Sequence, residues 1–99
     1  MYVIREVLNC KPGKVRPMVE KFKALSTAVK EMGHEPLRVL TDVAGEPFWT
    51  VVVEAQVKEI ADFFAIEQRL MANDDVRKAM GDYHSLVERG RREIYRVES

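Results

Sequence analysis

The chain lacks most of the features that announce a chemistry. Its 99 residues include one cysteine, Cys10, so no internal disulfide can form, and a lone thiol fits a reducing, cytoplasmic setting. Charge of one sign is also missing, since 16 basic residues balance 16 acidic ones. That balance removes the main electrostatic attraction to nucleic acid or an anionic membrane. Arg89, Arg91 and Arg92 form the one basic run, read as a solvated helix end and strand start rather than a phosphate site. No stretch approaches the roughly 20 apolar residues of a membrane span, and the opening MYVIREV alternates with charge instead of forming the apolar run of a signal peptide. There is no phosphate loop, dinucleotide fingerprint, Cys-x-x-Cys pair or His-Glu-x-x-His helix. His34 and His84 lie far apart with no cysteine near either, so neither a metal site nor a cofactor is expected.

What remains is a soluble single domain spanning residues 1–99, with 46% apolar and 32% charged residues. A domain this small has a high surface-to-volume ratio, which favours burying more area by self-association. Its organising stretch is Phe48 to Val57, FWTVVVEAQV. Trp49, Val51, Val53, Ala55 and Val57 make one apolar face of a strand, while Phe48, Thr50, Val52, Glu54 and Gln56 mix apolar with polar. The first face belongs over a core, with Trp49 packed under helices. The second needs a cover that tolerates polar groups, either a partner subunit or a ligand.

Tyr2 to Cys10 reads as an inner strand, half apolar on both faces. Lys11-Pro12-Gly13-Lys14 breaks it. Val15, Met18, Val19, Phe22, Leu25, Val29 and Met32 then recur at helical spacing, with Pro17 confined to the first turn and Gly33 and Pro36 ending the helix. Leu37 to Ala44 is a second strand, joined to the organising stretch by a hairpin at Gly45-Glu46-Pro47. Ile60, Phe63, Phe64, Leu70 and Met71 form another helical stripe. Asn73-Asp74-Asp75 interrupts it, and Val76, Ala79, Met80, Tyr83, Leu86 and Val87 resume it as a second helix or a bent continuation. Gly90 ends that helix, and Arg91 to Ser99 is the final strand.

The order β-α-β-β-α-β, with a weak likeness between the strand-to-helix corners VLNCKPGKV and VEAQVKEI, predicts an α+β, ferredoxin-like domain: a four-stranded antiparallel sheet with its helices on one face. The other face is then bare, and Phe48 and Val52 on it make the apolar patch of an interface.

The corner Lys11-Pro12-Gly13-Lys14-Val15, the helix end Met32-Gly33-His34 and the closing Asp82-Tyr83-His84-Ser85-Leu86-Val87-Glu88 resemble NIPSNAP-like members of the dimeric α/β-barrel superfamily, which also contains antibiotic-biosynthesis-type monooxygenases, haem-degrading enzymes and small isomerases. The resemblance covers nearly the whole chain and implies a homodimer whose two sheets enclose a cavity. Glu6 stands where such chains tend to carry Arg, and Glu54 where they tend to carry Trp. Asn9 matches the haem-degrading pattern, but Gly81 stands where its His would fall and Phe63 or Phe64 near its Trp, which argues against that activity.

On this basis Phe48, Thr50, Val52, Gln56, Ile4 and Leu8 are expected to line the ligand cavity or dimer face, with Glu6 and Glu54 pointing into it. The two carboxylates would act as an acid/base pair helped by His84, or each would pair with an arginine such as Arg38, Arg92 or Arg96. His34 is expected to serve the end of its helix. Tyr2, Tyr95 and Cys10 are further wall or interface candidates. The functional expectation is a homodimeric protein that binds a small hydrophobic molecule or serves a structural role. The alternative is a cofactor-independent monooxygenase or isomerase acting on an aromatic or polyketide-like substrate between the sheets.

Overall fold

The computed structural model describes residues 1–45 and 47–99, so Glu46, at the centre of the expected hairpin, lies outside the described residues. The elements run β1 (Tyr2–Cys10), α1 (Val15–Glu31), β2 (Arg38–Thr41), β3 (Thr50–Val57), α2 (Ile60–Met71), α3 (Asp74–Met80), a 3₁₀ turn (Tyr83–Ser85) and β4 (Val87–Arg96). The strands form one antiparallel sheet in the order β2-β3-β1-β4. This is the ferredoxin-like topology read from the sequence, and among the described residues no helix is long and apolar enough to cross a membrane.

The register decides which side chains meet. β3 pairs with β1 so that Ile4 faces Ala55, Glu6 faces Val53 and Leu8 faces Val51. Even-numbered residues of β1 therefore share a face with odd-numbered residues of β3, because side chains directly opposite one another across a pair of strands point the same way. That common face carries the core: Leu8, Cys10, Val51 and Val53 pack against Met18, Val19 and Phe22 of α1 and against Leu86. Met18 and Val51 have no solvent-exposed surface, and burial on that scale contributes about 1.5–3 kcal/mol per side chain.

Several boundaries differ from the sequence pattern. The organising strand begins at Thr50; Phe48 and Trp49 precede it, 72% and 44% exposed. Trp49 has φ 66°, a left-handed conformation that breaks the two-residue alternation, so it is not packed under the helices. Its backbone is held from both sides, by the Cys10 N–H donating to its carbonyl at 2.8 Å and by the Thr50 N–H donating to the Asp42 carboxylate at 2.8 Å. β2 covers only the middle of the predicted Leu37–Ala44 strand.

The helix expected to run through Val87 stops at Met80, and β4 starts at Val87 instead of Arg91. Gly90 is consequently a strand residue opposite Leu8; a Cβ there would approach the Leu8 Cδ2 to 3.0 Å. Asn73 caps α3 by accepting the Val76 N–H at 3.0 Å. The end of α1 follows its sequence signal: Gly33 has φ 88°, its N–H donates to the Lys30 carbonyl, and the His34 N–H donates to the Val29 carbonyl. His34 thus serves the helix end through its backbone.

Candidate functional site

Among the described residues, recesses open on both faces of the sheet. The first lies between the sheet and the helices and has a volume of about 430 Å³. Its floor is Ile4, Leu8, Val53 and Ala55 of β1 and β3, and its roof is built by α1 (Phe22, Leu25), α2 (Phe63, Leu70, Met71) and α3 with the turn after it (Val76, Met80, Tyr83). The helical stripes that define the core also make these walls, so the cavity is the part of the helix-to-sheet gap that side chains leave unfilled.

One wall is charged. Arg92 lies opposite Glu6 across β1 and β4, and its Nε donates to Glu6 Oε1 while its Nη2 donates to Glu67 Oε2 of α2. The guanidinium lies over the Phe63 ring, 5.0 Å from its centroid. Partial burial works against its charge, but the hydrogen bonds it donates to Glu67 and Glu6 outweigh that and raise its pKa above the ordinary arginine value.

The second recess is on the open face of the sheet, about 390 Å³, and is more polar. Across the four strands the register aligns Arg38, Glu54, Arg5 and Glu93 in one row. Arg5 Nε donates to Glu54 Oε2 at 2.7 Å, Arg38 lies 3.8 Å from Glu54, Arg5 lies 3.9 Å from Glu93, and Arg91 donates to Glu93 at 2.9 Å. Arg91 in particular holds the Glu93 carboxyl below the usual carboxylate range, opposed by slight desolvation and assisted by Tyr95 and Arg5. The next row is Leu40, Val52, Val7 and Arg91. Beyond it Asn9, although buried, is satisfied: its amide donates to Thr50 Oγ1 and its carbonyl accepts from Arg89 Nε, both at 3.2 Å.

This geometry separates the predicted site residues. Thr50, Val52, Glu54 and Gln56 are on the open face as expected, but Ile4 and Leu8 are not; they point to the helices, 1% and 9% exposed. The reason is the odd register sum of β1 and β3, which pattern alone leaves free. Glu6 follows Ile4 and Leu8, so Glu6 and Glu54 lie on opposite faces of the sheet and cannot act as an acid/base pair. Each instead pairs with an arginine, Glu6 with Arg92 and Glu54 with Arg5 and Arg38. Phe48 is an exposed residue ahead of β3. His84 is exposed and stacks on Tyr83 at 4.1 Å between ring centroids; Tyr83 lines the helix-side cavity and His84 does not.

Glu67 was absent from the predicted site, although its signal is visible: it falls between Phe63 and Leu70 on the apolar stripe of α2, where a carboxylate has no reason to be unless something meets it.

Neither a family model nor a curated protein matches the sequence. Solved structures do match in shape. An uncharacterised NIPSNAP-like domain protein from Burkholderia xenovorans superposes with TM-score 0.82 over 99% of this chain and 85% of its own, at 17% identity. A NIPSNAP family protein from Agrobacterium tumefaciens gives 0.79 over 96% and 90%, at 14% identity. A proposed antibiotic biosynthesis monooxygenase from Nitrosomonas europaea gives 0.72 over the full length of both chains, at 17% identity. The shared fold is the ferredoxin-like one. At these identities the likeness is one of fold, so the residues themselves must carry any statement about chemistry.

Proposed function

We propose that this chain binds a small hydrophobic molecule in the cavity between its sheet and its helices, rather than between two sheets. The observation that carries the reading is the cavity itself: about 430 Å³, walled mostly by aliphatic and aromatic side chains, with Glu6, Arg92 and Glu67 joined as one polar group in its wall. That combination of apolar walls and few convergent polar groups is the usual make-up of a ligand pocket of this size. The test is titration with the neutral fluorescent probe N-phenyl-1-naphthylamine. Saturable binding is expected, and Leu70→Trp, which fills the cavity from α2, is expected to weaken it about tenfold or more. Absence of saturable binding, or an unaffected Leu70→Trp variant, would overturn the reading.

The Nitrosomonas europaea likeness, and a further one to a proposed antibiotic biosynthesis monooxygenase from Deinococcus radiodurans at TM-score 0.69 and 11% identity, favour a second reading in which the same cavity turns its ligand over. Of the carboxylates and histidine first considered, Glu6 alone lines that cavity, so Glu6 would be the base. Turnover of an identified substrate surviving in Glu6→Gln would remove it from that role.

We further propose that the open sheet face receives a second copy of the chain. The row Arg38, Glu54, Arg5, Glu93 alternates in sign, and a two-fold axis parallel to the strands between β3 and β1 reverses it, setting each arginine against a glutamate. Alongside it, Leu40, Val52 and Val7 are the apolar members of the next row, which Arg91 closes. Light scattering at micromolar concentration is expected to give a dimer, and Val52→Asp a monomer; a monomeric parent protein would refute the arrangement.

A further inference from the structure

We infer that the helix-side cavity selects a cationic amphiphile, an apolar chain or ring carrying a protonated amine. This rests on the cavity being a ligand site and adds the charge of its occupant. The charged wall is unbalanced. Arg92 supplies one positive charge to two carboxylates, Glu6 and Glu67, each of which spends one oxygen on it. Among the described residues, Glu6 Oε2 and Glu67 Oε1 accept from no protein donor. The remaining cation of the lining, Arg77, is paired with Asp74 of the same helix turn, which offsets its charge. The wall therefore carries one negative charge in excess, beside apolar surface that screens it poorly.

An ammonium group answers that arrangement in both charge and hydrogen bonding. It brings three donors and one positive charge to two carboxylates with free acceptor oxygens. A carboxylate ligand meets the opposite situation: the guanidinium it would need is already shared between two glutamates, whose free oxygens would repel it. A neutral alcohol gains the apolar walls and at most one hydrogen bond.

Calorimetric titration of the intact protein at neutral pH with decylammonium, decanol and decanoate, each below its aggregation concentration, separates the possibilities. Decylammonium is expected to bind about tenfold tighter than decanol, the size of one charge-assisted hydrogen bond in a half-exposed setting, with decanoate weakest. Glu67→Gln is expected to lower decylammonium affinity about tenfold and to raise that of decanoate, a reversal that damage to the fold would not produce. Decanoate binding as tightly as decylammonium, or Glu67→Gln leaving the order of the three unchanged, would overturn the charge preference while leaving the ligand site standing. Failure of all three to bind would remove the site and the preference together.

Discussion

Cys10 closes β1 at the point where its pairing with β4 shifts register, and the residue is 3% exposed. Burial, and then the charge of Asp42, push its pKa above the ordinary thiol value, so the nucleophilic thiolate is scarce in the folded protein. Native protein is expected to resist alkylation by iodoacetamide at mildly alkaline pH and to react at once in denaturant; mass spectrometry distinguishes the two. Asp82 presents the opposite case. The Lys21 ammonium, hydrogen-bonded to it, holds its carboxyl below the usual range from the surface of the protein. A depressed folded-state pKa contributes stability above the unfolded-state value and loses it as pH falls through the folded one. Denaturant midpoints of parent and Asp82→Asn are therefore expected to differ at neutral pH and to converge in strong acid. A constant gap across the titration would show that Lys21 is not the cause.

The join between α2 and α3 shows how short an element boundary can be and still be specified. The Asn73 side chain takes the Val76 N–H, Asp74 and Asp75 occupy the first turn, and Arg77 and Lys78 the last, which suits the helix dipole at both ends. Asn73→Ala is expected to cost about 1 kcal/mol in a denaturant unfolding series. This break, the α1 stripe and the Gly33 stop were legible in the sequence because each is decided within one turn of chain. The placement of Ile4, Glu6 and Leu8 was not, because it depends on how β1 slides against β3, a contact between segments far apart in sequence. β4 was misjudged for a related reason: Gly90 reads locally as a helix stop, while its real constraint is the Leu8 side chain pressed against it from the neighbouring strand.

At the scale of the whole molecule, one layer of helices on one layer of sheet gives a slab of 36 × 35 × 17 Å. A slab that thin keeps the two proposed functional surfaces back to back. The ligand proposal belongs to the helix side and the self-association proposal to the open side, and the alternating side chains of β1 and β3 supply both. Val53 and Ala55 line the cavity, while Val52 and Glu54 face the other way. Substitutions on the two faces are expected to act independently: Val52→Asp should alter the hydrodynamic mass and leave naphthylamine binding within about twofold, whereas Leu70→Trp should do the reverse.

Trp49 is the protein's one tryptophan, pinned by its backbone in a left-handed conformation at the end of the sheet, and it lines neither recess. Its emission is consequently an optical label fixed to the β2–β3 connection and blind to the cavity under the helices. A ligand transparent in the near ultraviolet, such as decylammonium, should leave the tryptophan spectrum unchanged even when it saturates that cavity, and a transparent compound that quenches it would be reporting contact at the β2–β3 connection instead.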